Sequence, residues 1–117
     1  MLTYNFDRVF KARGIDKPFA HLQKAGFSDS LASRLKKNKI ARLNLSSIER
    51  LCLLLRCTPN DLMEWVPDKS SNVAADHPMH KIIKSEKIVD ITKTLNSVPL
   101  ERLGEIEELI KNKINNI

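Results

Sequence analysis

Hydrophobic residues recur at intervals of three and four over the first two thirds of the chain, the spacing of a buried face on each of several short helices. Residues that commonly end helices separate these segments, namely Gly14, Gly26, Asn38 and Pro67. The pattern therefore predicts five short helices before residue 69. Their expected inner faces are Phe6, Val9 and Phe10; Phe19, Ala20 and Leu22; Leu31, Ala32 and Leu35; Ile48, Leu51, Cys52 and Leu55; and Leu62, Met63 and Trp65.

Residues with known preferences for helix ends set the expected boundaries. The first helix is expected over about Asn5–Arg13, and the second opens at Pro18 because proline suits the first helical position. Ser28 is the expected N-cap of the third helix, and Ser46-Ser47-Ile48-Glu49 fits a capping box for the fourth. The fifth is expected to start within Thr58-Pro59-Asn60-Asp61.

The chain changes character after Pro67, where residues 69–78 have the polar composition of a linker. Two more helices are predicted, roughly over Met79–Asn96 and Leu100–Asn116, with a break at Ser97-Val98-Pro99. A hairpin of two helices cannot hide all of its own apolar surface, so it must pack on the N-terminal bundle or on a second copy. The linker favours the second copy. The predicted dimer interface is the stripe of Leu103, Ile106, Ile110 and Ile114.

Positive charge is concentrated in one part of the chain. The formal net charge is +6, and residues 1–69 carry all of it, with thirteen Lys and Arg against seven Asp and Glu. Residues 70–117 hold seven of each and are neutral. Such a cluster attracts a polyanion, and nucleic acid is favoured over an anionic membrane. The apolar stripe of the last helix could lie on a membrane surface, but the glutamates of its polar face would repel anionic lipid. Within residues 17–42, Asp29 alone opposes Lys17, Lys24, Arg34, Lys36, Lys37, Lys39 and Arg42.

This basic segment also contains the most informative local pattern. The second helix is expected to end at Gly26, a tight Gly26-Phe27-Ser28 turn follows, and the third helix starts at once. A glycine turn of this kind sets two helices at a steep angle, and the second helix can then enter a DNA major groove. Phe27 is expected to anchor the turn in the core.

The same residues resemble a known family. The Gly26-Phe27-Ser28 turn, followed by Ala32 and Ser33-Arg34-Leu35, resembles the helix-turn-helix of the Cro and phage-repressor class, also called the XRE family. Segments 45–52 and 57–62 resemble the fourth and fifth helices of a small bacterial branch of that family. The resemblance covers about residues 4–68. It implies an all-α fold: a five-helix, lambda-repressor-like DNA-binding domain over residues 1–68, with the linker at 69–78 and the helical hairpin at 79–117.

The resemblance also implies roles for individual side chains. Arg34 would contact guanine in a bidentate manner. Asp29 could accept a hydrogen bond from cytosine or only stabilise the start of the helix, and the second role is favoured. Many members place Gln at the start of helix two to contact a phosphate, where Lys17 could serve in this chain. By position, the resemblance implies that the base-contacting residues are Ser28, Asp29, Ser30, Ser33, Arg34 and Lys37. Side-chain chemistry makes Lys17, Lys36, Lys39 and Arg42 the expected phosphate contacts.

Other kinds of site have little support in the sequence. Cys52 and Cys57 with His77 and His80 suggest zinc only superficially, since the spacing is loose and Cys52 falls on an apolar helix face. Buried free thiols are favoured, and no metal or cofactor is expected. We find no Ser/His/Asp set and no glycine-rich phosphate loop, so an enzyme is not expected.

We therefore expect a sequence-specific regulator of transcription that binds double-stranded DNA as a homodimer and acts as a repressor or autoregulator. One alternative is an antitoxin that binds DNA with its N-terminal bundle and a toxin with its C-terminal helices. Another is a helical adaptor that binds only proteins. The chain shows no signal peptide and no apolar run of membrane-spanning length, so a cytoplasmic, nucleoid-associated protein is expected.

Overall fold

The computed structural model describes residues 1–70, 72–84 and 89–117 and is mostly helical over them. The strands are β1 (Leu2–Tyr4) and β2 (Met63–Trp65), and turns of 3-10 helix lie at Pro78–Ile82 and Leu100–Arg102. The α-helices are α1 (Phe6–Ala12), α2 (Pro18–Lys24), α3 (Asp29–Lys36), α4 (Leu45–Leu55), α5 (Pro59–Leu62), α6 (Ile91–Asn96) and α7 (Leu103–Asn115).

The core lies between α1 to α5 and consists of Phe27 from the turn before α3 together with residues that the three-and-four periodicity places on inner faces. They form one continuous apolar cluster. Each large side chain removed from water in this way stabilises the fold by about 1.5–3 kcal/mol. The largest fully buried side chains are Phe6, Phe10, Leu22, Leu35, Leu51, Leu55 and Leu62.

A two-stranded sheet departs from the all-α prediction. The fifth helix was expected to reach Trp65, and that expectation is wrong, because α5 ends at Leu62 and Met63 is already extended. β2 pairs antiparallel with β1, with Leu2 opposite Trp65. Extended pairing satisfies the backbone of residues 63–65 and still buries Trp65, just before Pro67, which cannot continue a helix.

The helix N-caps are in part those expected from the sequence. The Ser28 hydroxyl accepts a hydrogen bond from the Leu31 N–H at 3.2 Å and caps α3 as predicted. The predicted capping box at residues 46–49 is wrong, because α4 starts earlier. There, Asn44 Oδ1 accepts from the Ser47 N–H at 2.8 Å. Asparagine is as good a cap as serine, so the upstream residue takes the position.

The predicted helix over Met79–Asn96 is also wrong. The described part of this range holds the 3-10 turn at 78–82, extended backbone at Ile83 and the six-residue α6. Residues 85–88 of the predicted helix lie outside the described part. Two separate caps explain the division: the His77 ring accepts from the Met79 N–H at 3.0 Å, and Asp90 Oδ1 accepts from the Lys93 N–H at 3.0 Å.

The C-terminal region contacts the bundle through its first half. The His80 ring packs edge-on against Trp65 with 5.2 Å between centroids, and Thr92 Oγ1 lies within 2.7 Å of where a Cβ on Gly14 would stand. In contrast, α7 buries none of its residues. No helix in the described ranges is both long enough and apolar enough to cross a membrane.

Candidate nucleic-acid interface

The turn between α2 and α3 is fixed from below by the core. Gly26 has φ +94°, a conformation that side-chain-bearing residues rarely adopt, and it allows the chain to reverse in a few residues. Phe27 follows it into the core and is 5% exposed. The guanidinium of Arg50, from α4, lies 4.2 Å above the Phe27 ring. Sequence reasoning missed Arg50, because only the tertiary fold brings α4 to the turn.

The far end of α3 is held by Asn38. This residue is left-handed, with φ 56°, as its place after the third helix suggested. Its side-chain Oδ1 accepts from the Phe6 N–H at 2.9 Å, and its Nδ2 donates to the Tyr4 carbonyl at 3.0 Å. One side chain thus ties the end of α3 to both β1 and α1. Because Phe27 is buried in the core just before the other end, the direction of α3 relative to the core is set at both ends.

One face of α3 points away from the core. Ala32 and Leu35 are fully buried and define the inner side of the helix. The opposite side carries positions spaced by three, four and seven residues, which share one face of a helix. All but the half-buried Ser33 are exposed, so the four predicted base-contacting residues of this face stand together on the surface. They are Ser30, Ser33, Arg34 and Lys37.

The cations predicted to contact DNA are not neutralised by ion pairs within the described part of the chain. The ion pairs among the described residues are Lys11–Asp7, Arg102–Glu105 and Lys111–Glu107, and none involves a predicted DNA contact. Unpaired guanidinium and ammonium groups in water attract a polyanion, so the surface is suited to a phosphate backbone. The exposed cations concerned are Lys17, Arg34, Lys36, Lys37, Lys39 and Arg42.

Asp29, the only acidic residue of the basic segment, has a partner within the motif. Gln23 Nε2 donates to Asp29 Oδ1 at 2.7 Å and so connects α2 to α3 directly. The carboxylate also lies in the first turn of α3, where the helix dipole favours negative charge. This geometry supports the stabilising role over base contact. Gln23 was not singled out from the sequence, since its value depends on the angle between the two helices.

The cysteine and histidine side chains have local contacts of their own. Cys52 and Cys57 are free and half-buried, and burial, followed by the neighbouring Cys52, raises the pKa of the Cys57 thiol to about 11. His77 caps the 3-10 turn, and Nε2 of His80 lies 2.9 Å from the Ala74 carbonyl oxygen. Over the described ranges, no group of three or more His, Cys, Asp or Glu side chains is placed to hold a metal ion.

Comparison with known proteins agrees with this geometry. The family model of the Cro/C1-type helix-turn-helix DNA-binding domain matches residues 5–68, more than half of the chain. The match confirms the resemblance inferred from the turn and the two helices that follow α3. No curated protein and no solved structure matches the chain. The matched family is one of DNA-binding regulators rather than enzymes. The protein therefore belongs to the Cro/C1-type helix-turn-helix family and is a DNA-binding regulator of transcription.

Proposed function

We propose that this protein is a sequence-specific repressor or autoregulator that binds a palindromic operator as a homodimer, with α3 of each copy in the major groove. The observation that carries the proposal is the outward face of α3. It combines small hydroxyl groups, a guanidinium and an ammonium on a helix whose direction is fixed by buried Phe27 and by Asn38. The nearest carboxylate in sequence, Asp29, is already hydrogen-bonded to Gln23.

Side-chain chemistry divides the surface into two functions. Arg34 can donate two parallel hydrogen bonds to guanine, which gives about 1–3 kcal/mol of discrimination against another base. Ser30 and Ser33 can donate or accept at base edges nearby. The lysines and arginines around α3 hold the phosphate backbone and position the helix without specifying sequence. These phosphate contacts are Lys17, Lys36, Lys39 and Arg42.

Repression and dimerisation are the simplest uses of such a module. Tight binding over a promoter is enough to block transcription, whereas activation requires a further surface for polymerase. A two-fold dimer presents its two α3 helices about 34 Å apart, or a multiple of that distance, which matches successive major grooves on one side of the duplex. Each copy would then make its own phosphate and base contacts in one half-site, and both sets of contacts would stabilise the same complex.

Selection of binding sites from random DNA duplexes tests the proposal. We expect the full chain to enrich a palindrome, and Arg34→Ala to lose preference at one base pair in each half-site. Arg102→Ala is the control, since Arg102 is exposed but belongs to the C-terminal region and pairs with Glu105 at 3.5 Å. It should select the same site as the unaltered protein.

Two results would contradict the proposal. If no duplex were enriched, the claim of sequence-specific binding would be wrong. If Arg34→Ala weakened binding to all sequences equally, Arg34 would contact a phosphate and not a base. Placing the selected site over the promoter of a reporter gene then tests repression, which should require the same arginine.

A further inference from the structure

The last helix carries an apolar face that the described part of the chain leaves largely exposed. Its stripe begins with the half-buried Leu103 and Ile106 and continues with Ile110 and Ile114, which are 44% and 60% exposed. Ile117, just after the helix, is fully exposed. A contiguous apolar stripe on a helix whose other residues are mostly polar or charged marks a surface that another chain covers. The contacts of the C-terminal region with the bundle come instead from residues before α7, such as His80 and Thr92.

The spacing of this stripe is symmetric about its centre. Ile106 and Ile114 lie four residues to either side of Ile110, and Leu103 and Ile117 lie seven residues to either side. A second copy of α7 running in the opposite direction would therefore set the central isoleucines of the two stripes against one another. Ile110 would meet its own counterpart, and Ile106 would lie beside Ile114 of the second copy.

The charge of α7 changes sign along its length. Within the helix, residues 103–108 hold three glutamates and no basic residue, and residues 109–115 hold two lysines and no acidic residue. Two parallel copies would place the acidic halves side by side and the basic halves side by side. Two antiparallel copies would place each acidic half beside a basic half, which attracts and fixes the direction.

We propose that α7 pairs with α7 of a second copy in antiparallel orientation, centred on Ile110. The inference deepens the dimer of the proposed function by assigning its interface, direction and register. The occupant of the stripe is a second copy because the helix is self-complementary: the stripe sets apolar residues against apolar residues, and the charge pattern attracts in the antiparallel direction. An isologous pair of this kind closes at two copies and leaves both DNA-binding domains outside the interface.

Single cysteines on the stripe test direction and register together. In the full chain with Cys52→Ala and Cys57→Ser, one protein carries Ile106→Cys and another carries Ile114→Cys. Antiparallel pairing brings these two positions together, and an equal mixture should give a disulfide-linked heterodimer under mild oxidation. Neither protein alone should link efficiently, because like positions would be eight residues apart along the helices, about 12 Å and beyond the reach of a disulfide.

Sedimentation of the chain with its native cysteines gives a second, independent readout. Ile110→Asp should convert the dimer to a monomer without loss of helical content, since Ile110 is already partly exposed. The control is Leu53→Asp, on the exposed side of α4 with 73% exposure, which should remain dimeric. Linking of Ile106→Cys to itself would show parallel pairing and overturn the proposal. A chain that is monomeric, or an Ile110→Asp variant that stays dimeric, would also overturn it.

These results are separable from those on DNA. A chain that selects an operator but shows no α7 pairing contradicts this inference and leaves sequence-specific binding intact. A chain that forms the antiparallel dimer but enriches no duplex contradicts the proposed function alone.

Discussion

Asn38 gives the sharpest stability prediction, because three separable effects meet in one side chain. Its Oδ1 accepts from the Phe6 N–H and its Nδ2 donates to the Tyr4 carbonyl, at 2.9 and 3.0 Å. Each bond contributes about 1 kcal/mol net. The left-handed backbone at φ 56° adds a third effect, because a residue with a Cβ and no local polar group pays about 1 kcal/mol there.

Replacement by glycine and alanine separates these contributions. Asn38→Gly removes both hydrogen bonds but accepts the left-handed conformation, so the free energy of unfolding should fall by about 2 kcal/mol. Asn38→Ala also strains the backbone and should lose about 3 kcal/mol. Asn38→Asp keeps an acceptor for the Phe6 N–H but turns an oxygen towards the Tyr4 carbonyl, and should lose less than glycine.

The assay is urea denaturation followed by the fluorescence of Trp65, the only tryptophan, which is 9% exposed and so reports on loss of the core. If Asn38→Ala lost no more stability than Asn38→Gly, the argument from the left-handed backbone would be refuted. Losses below about 0.5 kcal/mol for all three variants would show that Asn38 does not secure the end of α3.

Three further changes test other parts of the structure. Asp61→Asn should cost about 1 kcal/mol at neutral pH. Hydrogen bonds from Thr58 hold the pKa of Asp61 below its ordinary 3.8. As the pH falls through that lowered pKa, the carboxylate of the unaltered protein is protonated, and the difference in stability between the two proteins should disappear. Gly26→Ala has room for its methyl group, so urea denaturation should show only the backbone penalty of about 1–2 kcal/mol. Gly14→Ala should destabilise the protein less in a Thr92→Ala background than in the unaltered chain, because the new Cβ would otherwise meet Thr92 Oγ1. Strictly additive effects of the two substitutions would contradict the contact of α6 with the bundle.

Local sequence signals predicted those parts of the fold that depend on neighbours along the chain. Periodicity alone placed Phe10, Leu35 and Leu51 in the core, because a helix brings residues three and four apart onto one face. The N-cap at Ser28 followed from its own chemistry and the residues just after it. The spacing of α3 also predicted which of its residues lie on the surface.

Contacts between segments that are distant along the chain were not predicted from the sequence. β1 and β2 pair in space but are separated by nearly the whole sequence of the DNA-binding domain. Each has only three residues, which is too short for a hydrophobic pattern that indicates a strand. The position of Arg50 over Phe27 and the link from Gln23 to Asp29 exist only once the helices have packed. The cap at Asn44 was missed because Ser46, a residue with the same capping preference, lies only two positions later.

The salt dependence of DNA binding tests the central claim most directly, namely that the basic surface around α3 contacts phosphates. The logarithm of affinity should fall with the logarithm of salt concentration, with a slope of about −0.9 for each phosphate contacted. Lys36→Ala and Lys39→Ala should each make the slope less steep by about 1. Lys11→Ala, whose ammonium already pairs with Asp7 at 3.1 Å, should change it less. A shallow slope for the unaltered protein, or one unmoved by the loss of Lys36 and Lys39, would contradict the account.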